Sequence, residues 1–118
     1  MPAILINTMP ILLVSPYYTI ENMGGSVKNT HRMLLRQVYC NYNSDVVLTF
    51  TLYFKRTYTD QWENIAYFLD PAESYFKMKL PPAILCREAK FEIYAAATKS
   101  VTIYNAGVLG KLKRIGSL

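Results

Sequence analysis

The chain of 118 residues holds few residues that can carry out nucleophilic or acid–base chemistry. His31 is the single histidine, so any Ser-His-Asp or Cys-His arrangement would have to use it. The segment around it, from Lys28 to Arg36, is basic and would oppose the imidazolium that a general base must become. We therefore interpret His31 as an exposed polar residue, and we predict no catalytic residues.

Acidic residues stand close together in the sequence at three places, as Asp60 with Glu63, Asp70 with Glu73, and Glu88 with Glu92. Acid–base work on a glycosidic bond needs two carboxyl groups in one cleft, with their pKa values held apart. These pairs fall instead in expected loops or on the polar face of an expected strand. Their spacing therefore predicts surface charge, and we do not expect an enzyme.

No cofactor or metal ion is expected either. A zinc site needs three or four ligands, whereas Cys40 and Cys86 are far apart in the sequence and have one histidine to join them. The pair Gly24-Gly25 lacks the glycine pattern of a phosphate-binding loop. Two cysteines are too few for a disulfide scaffold, so we expect reduced, buried thiols and leave open whether they pair.

The elements that would position binding residues are strands. Apolar and polar residues alternate with a period of two in three segments, 46–55, 74–80 and 89–95. Weaker strands are expected at 37–42, 65–69, 101–104 and 108–115. The breaks between these segments are short and polar or proline-rich, as at Pro81-Pro82 and 105–107. Such connections leave no room for crossover helices, which favours an antiparallel sandwich or small barrel over a parallel α/β sheet.

We therefore predict an all-β fold, a small antiparallel β-sandwich of about seven strands over 34–118 with an extended N-terminal arm over 1–33. With 52% hydrophobic and 18% charged residues, the chain has the composition of a folded protein with one core. At most one short helix is expected, over 26–37, where Ser26 can cap and Lys28, Arg32 and Arg36 share one stripe. A linker or strand with solvated charges is the equal alternative there.

The passage LPPAILCREAKFEIYAAATKSVTIYNAG resembles the end of a fibronectin type III or immunoglobulin-like sandwich. In those folds a Leu and a Pro precede an aromatic residue that begins an alternating strand. Leu80, Pro81, Phe91, Ile93 and Ala95 follow that order. The resemblance implies the sandwich architecture and no family site.

Tyrosine is the most informative residue type, because ten tyrosines exceed what a core of this size can use. The alternation places Tyr53, Tyr75, Tyr94 and Tyr104 on outward faces. Tyrosine has an apolar ring with a polar tip and is enriched at protein interfaces, although cross-strand packing explains any single one. We expect these four tyrosines to form contacts with a partner.

The N-terminal arm is apolar but interrupted by Pro, Asn and Gly, so it cannot bury its own side chains. Its predicted interface residues are Ile4, Leu5, Ile11, Leu12 and Leu13. The arm either forms edge strands of its own sandwich or adds a strand to a neighbouring copy. The whole layout resembles the small structural proteins of bacteriophage and viral particles.

The function we expect is a non-enzymatic virion or assembly protein that binds copies of itself and other structural proteins. We expect it to be made in the cytoplasm, with no signal peptide, no membrane span and no small-molecule substrate. The alternatives are a single-stranded nucleic-acid-binding domain and, third, a carbohydrate-binding sandwich that uses Trp62. Nucleic acid would contact basic residues, of which the candidates are Lys28, Arg32, Arg36, Lys77, Lys79, Lys111, Lys113 and Arg114.

Overall fold

The computed structural model describes residues 11–15, 18–19, 31–57, 60–96 and 100–114. These residues form eight strands and no helix. The strands are β1 (Ile11–Val14), β2 (Tyr18–Thr19), β3 (His31–Ser44), β4 (Leu48–Lys55), β5 (Glu63–Leu69), β6 (Tyr75–Cys86), β7 (Glu88–Ala95) and β8 (Val101–Arg114). Accordingly, no helix long and apolar enough to cross a membrane occurs in these parts of the chain.

The strands form two antiparallel sheets. In the five-stranded sheet the order is β1-β7-β4-β5, and β2 pairs with β7 beyond β1. In the three-stranded sheet β3 lies between β6 and β8. We call the face of each sheet that points to the other sheet its inner face, and the opposite one its outer face. The predicted all-β antiparallel sandwich is confirmed, with eight strands in place of about seven.

The core lies between the two inner faces. On β4 the predicted alternation holds, because Leu48, Phe50, Leu52 and Phe54 are all buried. They belong to one cluster with inner-face residues of β3 and β7, where the ring of Phe91 stacks on that of Phe50 with 5.0 Å between centroids. Each buried apolar side chain contributes about 1.5–3 kcal/mol. This cluster holds the two sheets together.

Of the two equal alternatives for residues 26–37, the helix is wrong and the strand is correct for residues 31–37, which form the first half of β3; residues 26–30 lie outside the described part of the chain. This stretch pairs with β8 from His31 opposite Arg114, and with β6 from Met33 opposite Cys86. Hydrogen bonds on both edges outweigh a weak local helix preference. The spacing of Arg32 and Arg36, read as a helical stripe, spans a shift in strand register after Leu35.

Two expected breaks lie inside strands. Pro81-Pro82 belongs to β6, and residues 105–107 belong to β8. The pairing of β3 with β6 passes from Leu35 opposite Ile84 to Gln37 opposite Lys79, so four residues of β6 face Arg36 alone. Proline is tolerated there because β6 is an edge strand at an irregularity. A second shift, between Asn41 and Tyr42, accommodates the extra residue of β8.

The described part of the arm lies on the chain's own sheet. β1 pairs with β7 from Ile11 opposite Ala95 to Val14 opposite Glu92, and β2 continues beside β7 at Tyr18 and Thr19. Of the two placements left open by the sequence, these residues adopt the first, as edge strands. Ile4, Leu5 and Lys28 lie outside the described residues, as does the side chain of Ile11.

Candidate interaction surfaces

The four predicted interface tyrosines do not share one surface. Tyr53 lies opposite Lys90 and Tyr94 opposite Thr49, which places both on the outer face of the five-stranded sheet. Tyr75 and Tyr104 belong to the three-stranded sheet, on its two edge strands. Three of the four are exposed, whereas Tyr53 is half-buried. The four tyrosines are therefore divided between two sheets, because strands that look alike in sequence belong to different sheets.

The outer face of the five-stranded sheet carries a cluster around Trp62 whose charges balance. The Nζ atoms of Lys55 and Lys90 lie 5.2 and 5.0 Å from the centroid of the Trp62 ring. Lys55 also pairs with Glu88, with 3.8 Å between Nζ and Oε2. Because cations already occupy positions over the ring, the indole is engaged in contacts within its own sheet.

Tyr53 belongs to the same face and is held in place by its neighbours. Lys90 Nζ lies 5.3 Å from the centroid of the Tyr53 ring. Burial raises the pKa of Tyr53, and the charge of Glu92 and its hydrogen bond with the phenol raise it further. Lys90 thus contacts the rings of both Tyr53 and Trp62, and Glu92 forms a hydrogen bond with the Tyr53 phenol. The charges of this cluster balance, and its polar groups contact one another.

The three-stranded sheet has the opposite character, because it concentrates positive charge. Its three strands contain no Asp or Glu, although they hold seven of the thirteen basic residues of the chain. The register places five of the predicted basic residues on the outer face, which are Arg32, Lys77, Lys79, Lys111 and Lys113. We call this surface the basic face. Arg36 is exposed at the register shift, and Arg114 is exposed at the end of β8.

Tyr39 lies at the centre of the basic face and was not predicted. It pairs with Lys77 on one side and with Gly107 on the other. A Cβ built on Gly107 would lie 2.7 Å from the Tyr39 hydroxyl oxygen and 3.0 Å from Cζ, so the ring lies over the glycine. One row further, Asn41 Nδ2 donates to Asn105 Oδ1 at 2.6 Å. The alternation of Tyr39 and Asn41 with buried Val38 and Cys40 is the sequence signal that could have found it.

A groove runs along one side of the sandwich, where β1 and β2 face β8. One part encloses about 330 Å³, with Leu13, Val14 and Tyr18 on one wall and Ile103 and Ala106 on the other. The next part encloses about 210 Å³ between Tyr18 and residues of the three-stranded sheet, including Met33, Val108 and Leu112. We call both parts together the edge groove. Its lining is largely apolar.

The opposite side of the sandwich holds a depression of about 350 Å³ between β5 and β6. Arg56 lies at its rim, with Nε 2.9 Å from Glu63 Oε2 and its guanidinium carbon 5.3 Å from the centroid of the Phe54 ring. Ile65, Tyr67 and the prolines of β6 complete the lining. Because the arginine is already paired, this depression presents no unmatched charge.

The predicted carboxylate pairs have structural roles where their contacts are described. Asp70 Oδ1 accepts a hydrogen bond from the Ala72 amide at 2.8 Å, and its carbonyl accepts one from the Glu73 amide at 3.0 Å. No group of three or more His, Cys, Asp and Glu residues that could hold a metal ion occurs in the described ranges.

Cys40 and Cys86 are both buried and free, as expected for reduced thiols. Cys40 lies opposite Phe76, whereas Cys86 lies opposite Met33, seven residues away along β3. This spacing amounts to roughly 20 Å along a strand, far beyond the reach of a disulfide. Burial raises the pKa of Cys40 to about 11 and that of Cys86 to about 12, the latter against the opposing charge of Arg56.

Comparisons with known proteins assign no family to this geometry. No protein-family model, no curated protein and no solved structure matches the chain. The resemblances to immunoglobulin-like sandwiches and to virion proteins therefore stay predictions, whereas the sandwich itself is established by the strand pairing.

Proposed function

We propose that the chain is a non-enzymatic assembly protein that associates with copies of itself through the edge groove. The setting we propose is a large particle such as a virion, where other structural proteins are further partners. The observation that carries the proposal is a row of incompletely buried apolar side chains between two strand edges. Its residues are Leu13, Tyr18, Ile103 and Leu112.

The two strands that border the groove each offer a backbone edge. Within the described residues, β1 pairs only with β7, and β8 pairs only with β3. A strand edge without a partner presents alternating N–H and C=O groups that pair readily with another strand. Addition of a strand from a second copy at either edge would satisfy these groups and cover the groove.

The side chains of β1 also favour a strand of a second copy as the segment that covers the edge groove. Leu13 lies opposite the buried Ile93 and therefore belongs to the inner face, yet 43% of its surface is exposed. The residues of β8 that line the same groove, Ile103 and Ala106, leave it partly uncovered. An inner-face leucine left half open is the kind of apolar surface that marks an interaction site, and a strand of a second copy is long and apolar enough to cover it.

The arm provides a route to exchange between copies. β1 is attached by four residue pairs with β7, and the β1 of a second copy can form the same pairs. Exchange of identical elements preserves every contact while it links subunits. In this proposal Ile4 and Leu5 of the arm add apolar contacts to the neighbour.

The carbohydrate alternative is not favoured by Trp62. A sugar would stack on an open indole face. Here two lysine ammonium groups lie over the ring, and both belong to a charge-balanced cluster with Glu88 and Glu92. A sugar would have to displace these contacts before it could stack.

Light scattering of the purified protein at low and high salt tests the proposal. We expect an oligomer whose mass does not change with salt, because an apolar interface is little affected by screening. The variant Leu13→Asp with Leu112→Asp places charges on both walls of the groove and should yield a folded monomer. The control Phe68→Asp changes a side chain that is 74% exposed on β5, at the other end of the sheet, and should stay assembled.

Two results would overturn self-association through the groove. One is a wild-type monomer at every salt and protein concentration. The other is a groove variant that keeps its oligomeric mass while its thermal unfolding matches that of the wild type. A shortened chain without residues 1–10 tests the arm separately, since it keeps β1 and should assemble more weakly if Ile4 and Leu5 contact the neighbour.

A further inference from the structure

We infer that the basic face binds single-stranded nucleic acid, with phosphates on its lysines and arginines and a base stacked on the Tyr39 ring. The inference goes beyond self-association and does not depend on it. The basic face is the outer surface of the three-stranded sheet, whereas the edge groove opens between the two sheets; Lys111 borders both.

The charge of this face is of one sign over its whole length. β3, β6 and β8 contain no acidic residue, and the five outward-pointing cations are distributed over all three strands. Glu73, in the turn before β6, is at the border of the face next to Tyr75. By contrast, the two outward lysines of β4 and β7, Lys55 and Lys90, share their face with Glu88 and Glu92. In sequence these charges are interleaved and nearly cancel; folding separates them onto opposite sides of the molecule.

A surface whose own strands carry cations and no carboxylates favours an anionic partner, because like charges brought close together repel each other. Nucleic acid provides a regular row of negative charges, and lysines and arginines bind it by displacing its counterions. Lys77 and Lys79 are two residues apart on β6, and Lys111 and Lys113 are two residues apart on β8. Both pairs therefore point to the same side, one along each edge of the sheet.

Tyr39 is the feature that distinguishes nucleic acid from other anions. It occupies the central strand between the two edges, with Lys77 beside it. Gly107 lets its ring lie over β8, because any larger residue would occupy that space. Tyr75 lies opposite Asn41, diagonally across from Tyr39, which corresponds to roughly 7–8 Å between the two positions. Aromatic rings that lie on a sheet surface between basic residues stack on the bases of single strands.

The remaining polar groups of the face fit the same ligand. Asn41 and Asn105 hold each other through their amides, next to Tyr39 in the direction of Tyr75. Gln37 lies on the other side of Tyr39, opposite Lys79. Amide side chains donate and accept hydrogen bonds at once, as the edges of unpaired bases also do. A duplex hides those edges and the base faces, so the geometry favours a single strand.

The test uses fluorescence anisotropy with a labelled single-stranded oligothymidylate of about 20 nucleotides. If all five outward cations contact phosphates, the logarithm of the affinity falls with the logarithm of salt concentration with a slope of about −3.5. The double variant Lys77→Gln with Lys79→Gln should lower that slope by about 1.4 in magnitude. The control Lys55→Gln with Lys90→Gln removes equal charge from the opposite sheet and should leave the slope near the wild-type value.

Variants of Tyr39 test stacking apart from charge. Loss of one stacked base in Tyr39→Ala should weaken binding at least about fivefold, whereas Tyr39→Phe should keep most of the affinity. Tyr94→Ala removes an exposed tyrosine from the opposite face and should have no effect. Gly107→Ala should weaken binding in the same direction, because its Cβ displaces the ring and leaves charge unchanged. If Tyr39→Ala does not fold, the affinity of Gly107→Ala still tests whether the Tyr39 ring stacks on a base.

Each of three results would overturn the inference. The first is no binding of the oligonucleotide at low salt. The second is equal affinity for poly-glutamate of matched charge or for a duplex of the same length, since either would mean a surface for anions in general. The third is unchanged affinity in both Tyr39→Ala and Gly107→Ala when circular dichroism shows that they are folded.

Discussion

Replacing one buried and one exposed phenylalanine by alanine compares how much each side chain contributes to the free energy of unfolding, and so tests which side chains point into the core. Phe50 is fully buried on β4 and stacks on Phe91, whereas Phe68 on β5 is 74% exposed. A phenylalanine buries about 150–250 Å², and at about 25 cal/mol per Å² its removal costs roughly 4–6 kcal/mol. Measured Phe→Ala costs in protein cores are about 3–5 kcal/mol, so we expect about 4 kcal/mol for Phe50→Ala.

Phe68→Ala should change the free energy of unfolding by about 0.5 kcal/mol or less, because most of its ring already contacts water. Urea unfolding followed by tryptophan fluorescence measures the free energy of unfolding of both variants. If that free energy falls by about 1.5 kcal/mol per M of urea, the urea midpoint of Phe50→Ala should lie about 2.5 M below that of the wild type. Phe50→Leu provides a milder variant if the alanine variant does not fold. A loss under about 1.5 kcal/mol for Phe50→Ala, or equal losses for the two alanine variants, would refute the assignment of the inner faces.

Two further predictions concern the buried thiols and the closest approach of β3 and β8. Cys40 and Cys86 keep their protons in the folded state at a pH where the unfolded chain ionises them, so the free energy of unfolding should fall as pH rises above about 9, by about 1 kcal/mol per thiol near pH 10. Urea midpoints measured between pH 8 and 10.5 follow this fall, and they should decrease more steeply with pH in the wild type than in the double variant Cys40→Ala with Cys86→Ala. An equal pH dependence of the midpoint in the two proteins would contradict the prediction. Gly110→Ala should destabilise by about 1–3 kcal/mol, because its Cβ would meet the Leu34 carbonyl oxygen, whereas Gly107→Ala meets only a side chain that can move. Thermal unfolding compares the two, and a wild-type melting temperature for Gly110→Ala would contradict the strand spacing.

The two outer faces of the sandwich explain how a chain with a modest net charge of +5 can hold a strongly basic surface. Where Lys55 and Lys90 lie near Glu88 and Glu92, attraction across the sheet neutralises the face. β3, β6 and β8 have no such partners in their own strands. Net charge therefore understates the field on one side of the molecule.

The strands of the core could be predicted from residue order alone because burial imposes a period of two. β4 and β7 show this best, since Phe50 and Phe91 both point inward and both were assigned correctly. For the first half of β3, residue order alone left helix and strand as equal alternatives. Its residues have no strict alternation, and they are strand because β6 and β8 supply hydrogen bonds on both sides.

The sequence by itself determined the class of fold, the inward residues of β4 and β7, and the scarcity of catalytic groups, because these depend on local pattern and composition. Only the tertiary structure decided which strands share a sheet, since pairing joins residues as distant as His31 and Arg114. That pairing divided the predicted interface tyrosines between two sheets, gathered five cations on one face, and brought Gly107 beneath Tyr39. Contacts between strands far apart in the chain leave no periodic signal along it, and both proposed binding surfaces are built from such contacts.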